Sequence, residues 1–195
     1  MSVAARVISV VADPSGGDDI DLEAAVALVA EVLVAGGTVL IPTDTVYGLA
    51  VLASGIGGVE ALARIKGRDP DKPVAVLVAS PAQGLELFDR PGEALTRLAS
   101  ALWPGPLTLV APADTGAPAP VVSASGTIGV RCPDHELVRR VAEAVGPLAV
   151  TSANPAGGEP LVRSSTSSGL AARTSAVRPR RRSRRAAVWR ASCPP

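Results

Sequence analysis

Four short segments hold most of the side chains that could do chemistry. The first, Thr43-Asp44-Thr45-Val46-Tyr47, sets two hydroxyls, a carboxylate and a phenol directly after an apolar run. The second is Lys66-Gly67-Arg68, followed by Asp69-Pro70-Asp71-Lys72, three cations within seven residues that include both lysines of the chain. A lysine point charge beside the planar fork of an arginine suits phosphate oxygens. The intervening Gly67 lets the backbone approach a ligand closely, while a helix end would also attract such cations through its dipole. No G-x-x-x-x-G-K-[ST] loop occurs. The third segment joins Trp103-Pro104-Gly105-Pro106-Leu107-Thr108 to Thr127-Ile128-Gly129-Val130-Arg131. Trp103 reads as a rigid turn packed on the edge of a core. Arg131 ends an apolar strand and needs an anionic partner or water, for which a substrate carboxylate would serve. The fourth, Thr151-Ser152-Ala153-Asn154 before Pro155-Ala156-Gly157-Gly158, offers two hydroxyls and an amide that can bind a nucleotide or its phosphates without adding charge. Each segment alone also fits a plain turn with a capping side chain.

The elements that must position these groups alternate. Strands are expected at 3–11, 38–41, 74–79, 107–111, 127–131 and 148–151. Helices are expected from Leu22 to Ala35, Gly58 to Ile65, and over 92–102 and 135–145. An aspartate at 18, 19 or 21 would cap the first helix and Gly36-Gly37 would end it. His135 opens the last. Residues 112–126 are rich in Pro, Ala, Gly and Ser and read as a loop. This is an α/β pattern, and its continuous apolar strands predict a sheet covered on both faces. The four chemical segments then fall at strand ends or in the turns beyond them, where α/β sheets bind ligands.

Composition excludes several classes. Among 195 residues only Tyr47, Phe88, Trp103 and Trp189 are aromatic, too few for a protein that stacks bases on rings. Cys132 and Cys193 make neither a disulfide framework nor a metal quartet, and a single histidine makes no His-rich metal site. No long apolar span and no secretory leader are apparent, so a soluble cytoplasmic protein is expected. The net charge of +1 is a sum of unlike parts. Residues 1–160 carry 10 Lys+Arg against 18 Asp+Glu, or −8, and residues 161–195 carry nine arginines and no acid, or +9. Two units are therefore expected: a globular domain over 1–160 and an Arg/Ser/Pro-rich tail over 161–195.

PTDTVYGL, KGR, WPGPLT, TIGVR and TSAN, in this order and spacing, resemble the YrdC-like threonylcarbamoyl-AMP synthase family over roughly Leu22 to Pro160. The resemblance implies an open, twisted, mixed α/β sheet with flanking helices. It implies a nucleotidyltransferase that condenses L-threonine, bicarbonate or CO2, and ATP to threonylcarbamoyl-adenylate with release of pyrophosphate. The product then goes to a separate tRNA-modifying transferase complex. By the same resemblance Lys66, Arg68, Lys72, Thr127, Ser152 and Asn154 would bind ATP, with Lys66 and Arg68 the catalytic cations. Thr45 and Arg131 would bind threonine, and Mg2+ would accompany the nucleotide, although no carboxylate cluster is dedicated to it. Some members carry a histidine where this chain has Leu77. Other readings stay open: a non-catalytic RNA-binding module in translation or ribosome maturation, or a carbamoyl-transfer relative acting on another acceptor.

After residue 160 the resemblance stops. The family's later segments, one supplying a serine and one an arginine to the site, are not recognisable, so the C-terminal part of the fold is expected to be missing. The tail lacks Lys, Asp, Glu, Asn, Gln, Ile, Phe, Tyr and His. That composition suits an out-of-frame or mis-joined end of a GC-rich gene, a basic arm that contacts RNA, or an inert disordered stretch.

Overall fold

A computed structural model describes residues 5–9, 21–67, 73–154 and 185–189, the first and last of these as backbone. Eight strands and five helices run in the order β1 (Ala5–Ser9), α1 (Leu22–Val34), β2 (Thr38–Ile41), β3 (Gly48–Leu52), α2 (Ile56–Lys66), β4 (Ala75–Leu77), α3 (Pro81–Leu85), α4 (Glu93–Leu102), β5 (Leu109–Pro112), β6 (Thr127–Arg131), α5 (Glu136–Val145), β7 (Leu148–Ser152) and β8 (Arg185–Trp189). A 3-10 turn at Ala119–Val121 precedes β6.

Local chemistry sets the helix ends. Asp21 Oδ1 accepts the Ala24 N–H at 2.8 Å and caps α1. Beyond α1 the chain turns through Gly36 at φ +77°. Ser80 caps α3 by accepting the Gln83 N–H. Gly67 ends α2 in the left-handed region at φ +58°, where a Cβ would be strained. That turn follows directly on Lys66.

All eight strands form one sheet in the order β1-β8-β2-β3-β7-β4-β6-β5. Only β4 and β6 pair in parallel; the other neighbours are antiparallel, so the sheet is mixed as expected. One continuous row crosses it: Arg6, Val188, Val39, Ala50, Val150, Ala75, Gly129 and Val110 are successive partners. Side chains alternate in facing along a strand, and two clusters follow. Leu49, Val51, Val76, Ile128, Val130 and Ala149 pack under α2 and the Trp103 turn. Val39, Ile41, Ala50, Leu77, Leu148 and Val150 pack under α1 and α5.

Coverage of that second face is partial, which corrects the expectation of a sheet buried on both sides. β2 is buried at every position, but β6 alternates between half-buried and buried residues. Along the row, Val39 and Ala50 are fully buried, Ala75 and Gly129 are half-buried, and Val110 on the edge strand is 65% exposed. α1 and α5 are tied together by the Arg140–Glu23 ion pair and lie over the β2-β3-β7 side. The face stays open over β6, β5 and the Ala75 end of β4, while Leu77 at the other end of β4 is buried with α5. Thr127, Gly129 and Arg131 alternate onto this open face.

Two strands lie outside the sequence expectations. Gly48–Leu52 forms β3, the return arm of a hairpin with β2, so the Thr43–Tyr47 segment is its loop. Arg185–Trp189, within the Arg-rich stretch, forms β8 between β1 and β2. The rest of that stretch, 161–184 and 190–195, lies outside the described residues.

An interior strand has no slack for proline, which lacks the ladder N–H. Val188 faces Arg6 on one side and Val39 on the other. Val188→Pro is expected to lower Tm by roughly 3–10 °C in a thermal melt, the effect of one lost ladder hydrogen bond in an interior strand. An unchanged Tm would show that β8 adds nothing to the folded sheet.

Candidate substrate-binding face

The open face has two ends, fixed by register. Gly48 pairs with Ser152, two residues to one side of the cross-sheet row, and Thr127 lies at that same side opposite Pro112. Arg131, paired with Leu77, lies two residues to the other side. Thr127 and Arg131 are four residues apart on one strand, about 13 Å.

Lys66, Ser152 and Asn154 form the cluster at the first end. Lys66 is only 9% exposed and Asn154 only 8%. The Lys66 ammonium donates to the Ser152 carbonyl at 2.6 Å, to the Asn154 Oδ1 at 3.1 Å and to the Asn154 carbonyl. Ser152 Oγ donates to Asn154 Oδ1. The Ala153 N–H between them donates to the Tyr47 carbonyl at 2.8 Å, which joins this turn to the β2–β3 loop. A buried cation needs such oxygens, because desolvation disfavours its charged form. Thr127 stands apart from this cluster, on the far side of β4. Its hydroxyl bonds the Ser123 and Ser125 hydroxyls at 2.8 and 3.2 Å, and its N–H donates to Ser123 Oγ. Arg68 and Lys72 lie outside the described residues.

Arg131 anchors the second end. Its Nε donates to the Gly105 carbonyl at 3.0 Å, its Nη1 to Thr45 Oγ1 at 3.0 Å, and its Nη2 to Asp44 Oδ1. Thr45 and Arg131 are thus brought together. The anionic partner that Arg131 needs comes from within the chain: Asp44, with side chains 12% and 14% exposed for Arg131 and Asp44. Burial pushes the Asp44 carboxyl up, but the Arg131 hydrogen bond and charge, with the N–H groups of Asp134 and Asp44, outweigh it and hold it below its ordinary value. The loop that carries Asp44 is braced by Thr43, whose Oγ1 accepts from the Thr45 and Val46 N–H groups and donates to the Val46 carbonyl at 2.6 Å.

Other singled-out residues are structural. Trp103 is buried and its Nε1 donates to the Leu107 carbonyl at 2.7 Å; a Cβ on Gly84 would come within 2.8 Å of its ring. His135 is the N-cap residue of α5, as expected, and its carbonyl accepts the Arg139 N–H. Cys132 is fully buried, and burial raises its thiol above the ordinary value against the lowering charge of Arg139. The sequence reading missed Asp44 as the partner of Arg131, the Gly105 carbonyl, and the Ser123 and Ser125 hydroxyls. Only Asp44 had left a signal: a carboxylate between two threonines beside a site that also needed an anion.

A mixed sheet with part of one face uncovered, a held arginine fork on that face and a lysine–hydroxyl cluster at the end of β7 defines an α/β protein of the open-sheet kind. The family model Sua5_yciO_yrdC, described as "Telomere recombination", matches residues 31–172, and the chain belongs to this family. A relative from Mycobacterium tuberculosis is 41% identical over 130 residues, 66% of this chain and 59% of its own length. The human threonylcarbamoyl-AMP synthase is 40% identical over 134 residues, 68% of this chain and 47% of its own. The crystal structure of Pyrococcus abyssi Sua5 complexed with L-threonine aligns with a TM-score of 0.71 at 32% identity, over 77% of this chain and 44% of that one. The chain thus spans about half the length of these relatives. Among the described residues no helix is long and apolar enough to cross a membrane.

The depressed carboxyl has a consequence for stability. A group whose pKa falls on folding contributes stability above its unfolded value and loses it as pH drops through the folded one. For Asp44 that loss sets in below about pH 4. The stability gap between wild type and Asp44→Asn, measured by urea titration, is expected to be constant from pH 6 to 8 and to shrink below about pH 4. A gap that does not change with acid would show that Asp44 is not the charged partner.

Proposed function

We propose that this protein synthesises threonylcarbamoyl-AMP from L-threonine, CO2 or bicarbonate, and ATP, releasing pyrophosphate, as a nucleotidyltransferase that serves tRNA modification. The observation that carries the reading is the pair of unlike clusters that the sheet sets apart, Thr45 with Arg131 on its open face and Lys66 with Ser152 and Asn154 at the end of β7. Thr45 and Arg131 suit the hydroxyl and carboxylate of an amino acid. Lys66, Ser152, Asn154 and Thr127 suit the phosphates and sugar of a nucleotide. Membership of the family and about 40% identity to a threonylcarbamoyl-AMP synthase support the same assignment.

In this mechanism the amine of threonine adds to CO2, forming the N–C bond of a carbamate and shedding its protons to solvent. A carbamate oxygen then attacks the α-phosphorus of ATP, and the bond to the β-phosphate oxygen breaks, so pyrophosphate leaves. No nucleophilic side chain is required. The chain's part is to hold two anionic reactants in line and to offset charge on the leaving phosphates. Arg131 and Thr45 hold the amino acid. Arg68 and Lys72 attract the phosphates, and Lys66, whose three N–H groups are taken by the Ser152 and Asn154 oxygens, adds its charge and holds that turn in place. ATP enters as its Mg2+ complex. The ion would come with the nucleotide and would offset charge on the phosphates. The downstream acceptor is a transferase complex acting on tRNA, and the cytoplasm is where this chemistry takes place.

Pyrophosphate release from ATP, bicarbonate and each amino acid in turn tests the reading. Threonine-dependent release is the expected outcome, and its absence from a folded sample would overturn it. Arg68→Ala is expected to lower kcat/KM by about tenfold to a hundredfold, the worth of one charge-assisted hydrogen bond. A tail-dependent RNA shift that weakens steeply with salt, in a sample without threonine-dependent turnover, would instead favour an RNA-binding role for the +9 stretch.

A further inference from the structure

We propose that Asp44 is a positioning residue, which fixes the Arg131 guanidinium in the orientation that receives the carboxylate of the amino-acid substrate. The inference rests on the assignment of Arg131 to that carboxylate. An arginine at the end of a strand on an open face has a long, flexible stem, and its planar fork is useful to a carboxylate only if plane and roll are set in advance. Here each nitrogen is held by a different oxygen: Nε by the Gly105 carbonyl, Nη1 by Thr45 Oγ1 and Nη2 by Asp44 Oδ1. A guanidinium has five N–H donors. These three bonds leave one on each terminal nitrogen, a matched pair for the two oxygens of a carboxylate.

Of the three anchors only Asp44 is charged. It reaches Arg131 from the β2–β3 loop, across two intervening strands, and 87 residues separate the pair in sequence. The loop itself is rigid by construction. Thr43 closes it on itself, and the Tyr47–Ala153 bond pins its far end to the turn after β7. Asp44 is therefore held independently of Arg131 and can serve as its reference point. Its negative charge also offsets that of the arginine, so this end of the face selects by directed hydrogen bonds rather than by net charge. That favours a flat carboxylate here and leaves the polyphosphate to the cation-bearing end.

A double-mutant cycle on the full-length chain tests this, with Asp44→Asn, Arg131→Gln and the double variant. Asp44→Asn is expected to raise KM for threonine about tenfold or more, with kcat and KM for ATP changed less than about twofold. In the Arg131→Gln background the same change should add less than about twofold, because a residue acting through Arg131 has nothing left to position. Effects that multiply in the double variant, or an equal rise in KM for ATP, would overturn the proposal. A second measurement needs no turnover. The Arg131 Nη1 and Nη2 groups should give separate NMR signals in the wild type, through hindered rotation, and merge in Asp44→Asn; signals unaltered by the substitution would overturn it. If the wild type releases no threonine-dependent pyrophosphate, the reaction assignment fails, while the NMR result still decides whether Asp44 sets the fork.

Discussion

A lysine ammonium that is nine-tenths out of water must be surrounded by oxygens, and this constraint organises one half of the molecule. Lys66 is the last residue of α2, and the oxygens lie 86 and 88 residues later, on Ser152 and Asn154. Meeting them fixes the end of α2 against the end of β7. It also shapes the Ser152–Asn154 turn, because two of the acceptors are backbone carbonyls whose directions are set by the ammonium. The Ala153 N–H is then turned toward the Tyr47 carbonyl, and the β2–β3 loop is brought in as well. A helix end, a strand end and a hairpin loop thus share one buried charge.

The same loop makes the link to the other half. From Tyr47, pinned at the β7 side, it runs back over the bare part of the sheet to Asp44 and Thr45, which meet Arg131 at the opposite end of β6. The loop can lie there because no helix does. α1 and α5 cover the β2-β3-β7 side, and the face beyond is left to half-buried small residues. Gly48 is part of this arrangement. A Cβ there would come within 2.5 Å of Val150 Cγ1, so the hairpin can enter the sheet at that point only without a side chain.

Much of this was legible in the chain. Asp21 and Gly36 marked the ends of α1 by the chemistry that caps them, and the apolar runs marked β2, β4, β6 and β7, whereas Gly67, read as room for a ligand, proved to be the cap of α2. Two strands were not. GLAVL follows its loop with no breaker between, so the apolar run merged with the chemical segment and hid the hairpin. RAAVW sits in a stretch whose arginines, serines and prolines argue against any strand, and only its neighbours in the sheet give it one. Of the site, residue types were readable and partnerships were not. Arg131 called for an anion and Asp44 offered one, yet nothing in a sequence says that residues 87 apart meet. The open face had left a trace in TIGVR, whose alternation of small or polar with branched residues is that of a strand with one side bare.

The distance between the two ends of the face is carried by β6 alone. Thr127 begins the strand, Arg131 ends it, and Gly129 lies between them with Ala75 beside it. A Cβ at 129 would meet Thr108 and Val110 at 3.5 and 3.7 Å, ordinary contact distances, so packing does not demand glycine there. Its effect is to keep the floor between the ends low. A slip of one residue would send Thr127 and Arg131 to the opposite face and put Ile128 and Val130 on the floor. Both ends of β6 are locked against such a slip. At its start the Ser123 hydroxyl accepts the Thr127 N–H, and the Ser123 N–H donates to the Thr127 carbonyl at 2.8 Å. Just past its end the Cys132 carbonyl accepts the Gly105 N–H at 2.8 Å, while the Gly105 carbonyl accepts from Arg131. The Trp103–Thr108 turn and the Ser123–Gly126 turn, which contain none of the residues proposed to hold substrate, therefore set the spacing of Thr127 and Arg131.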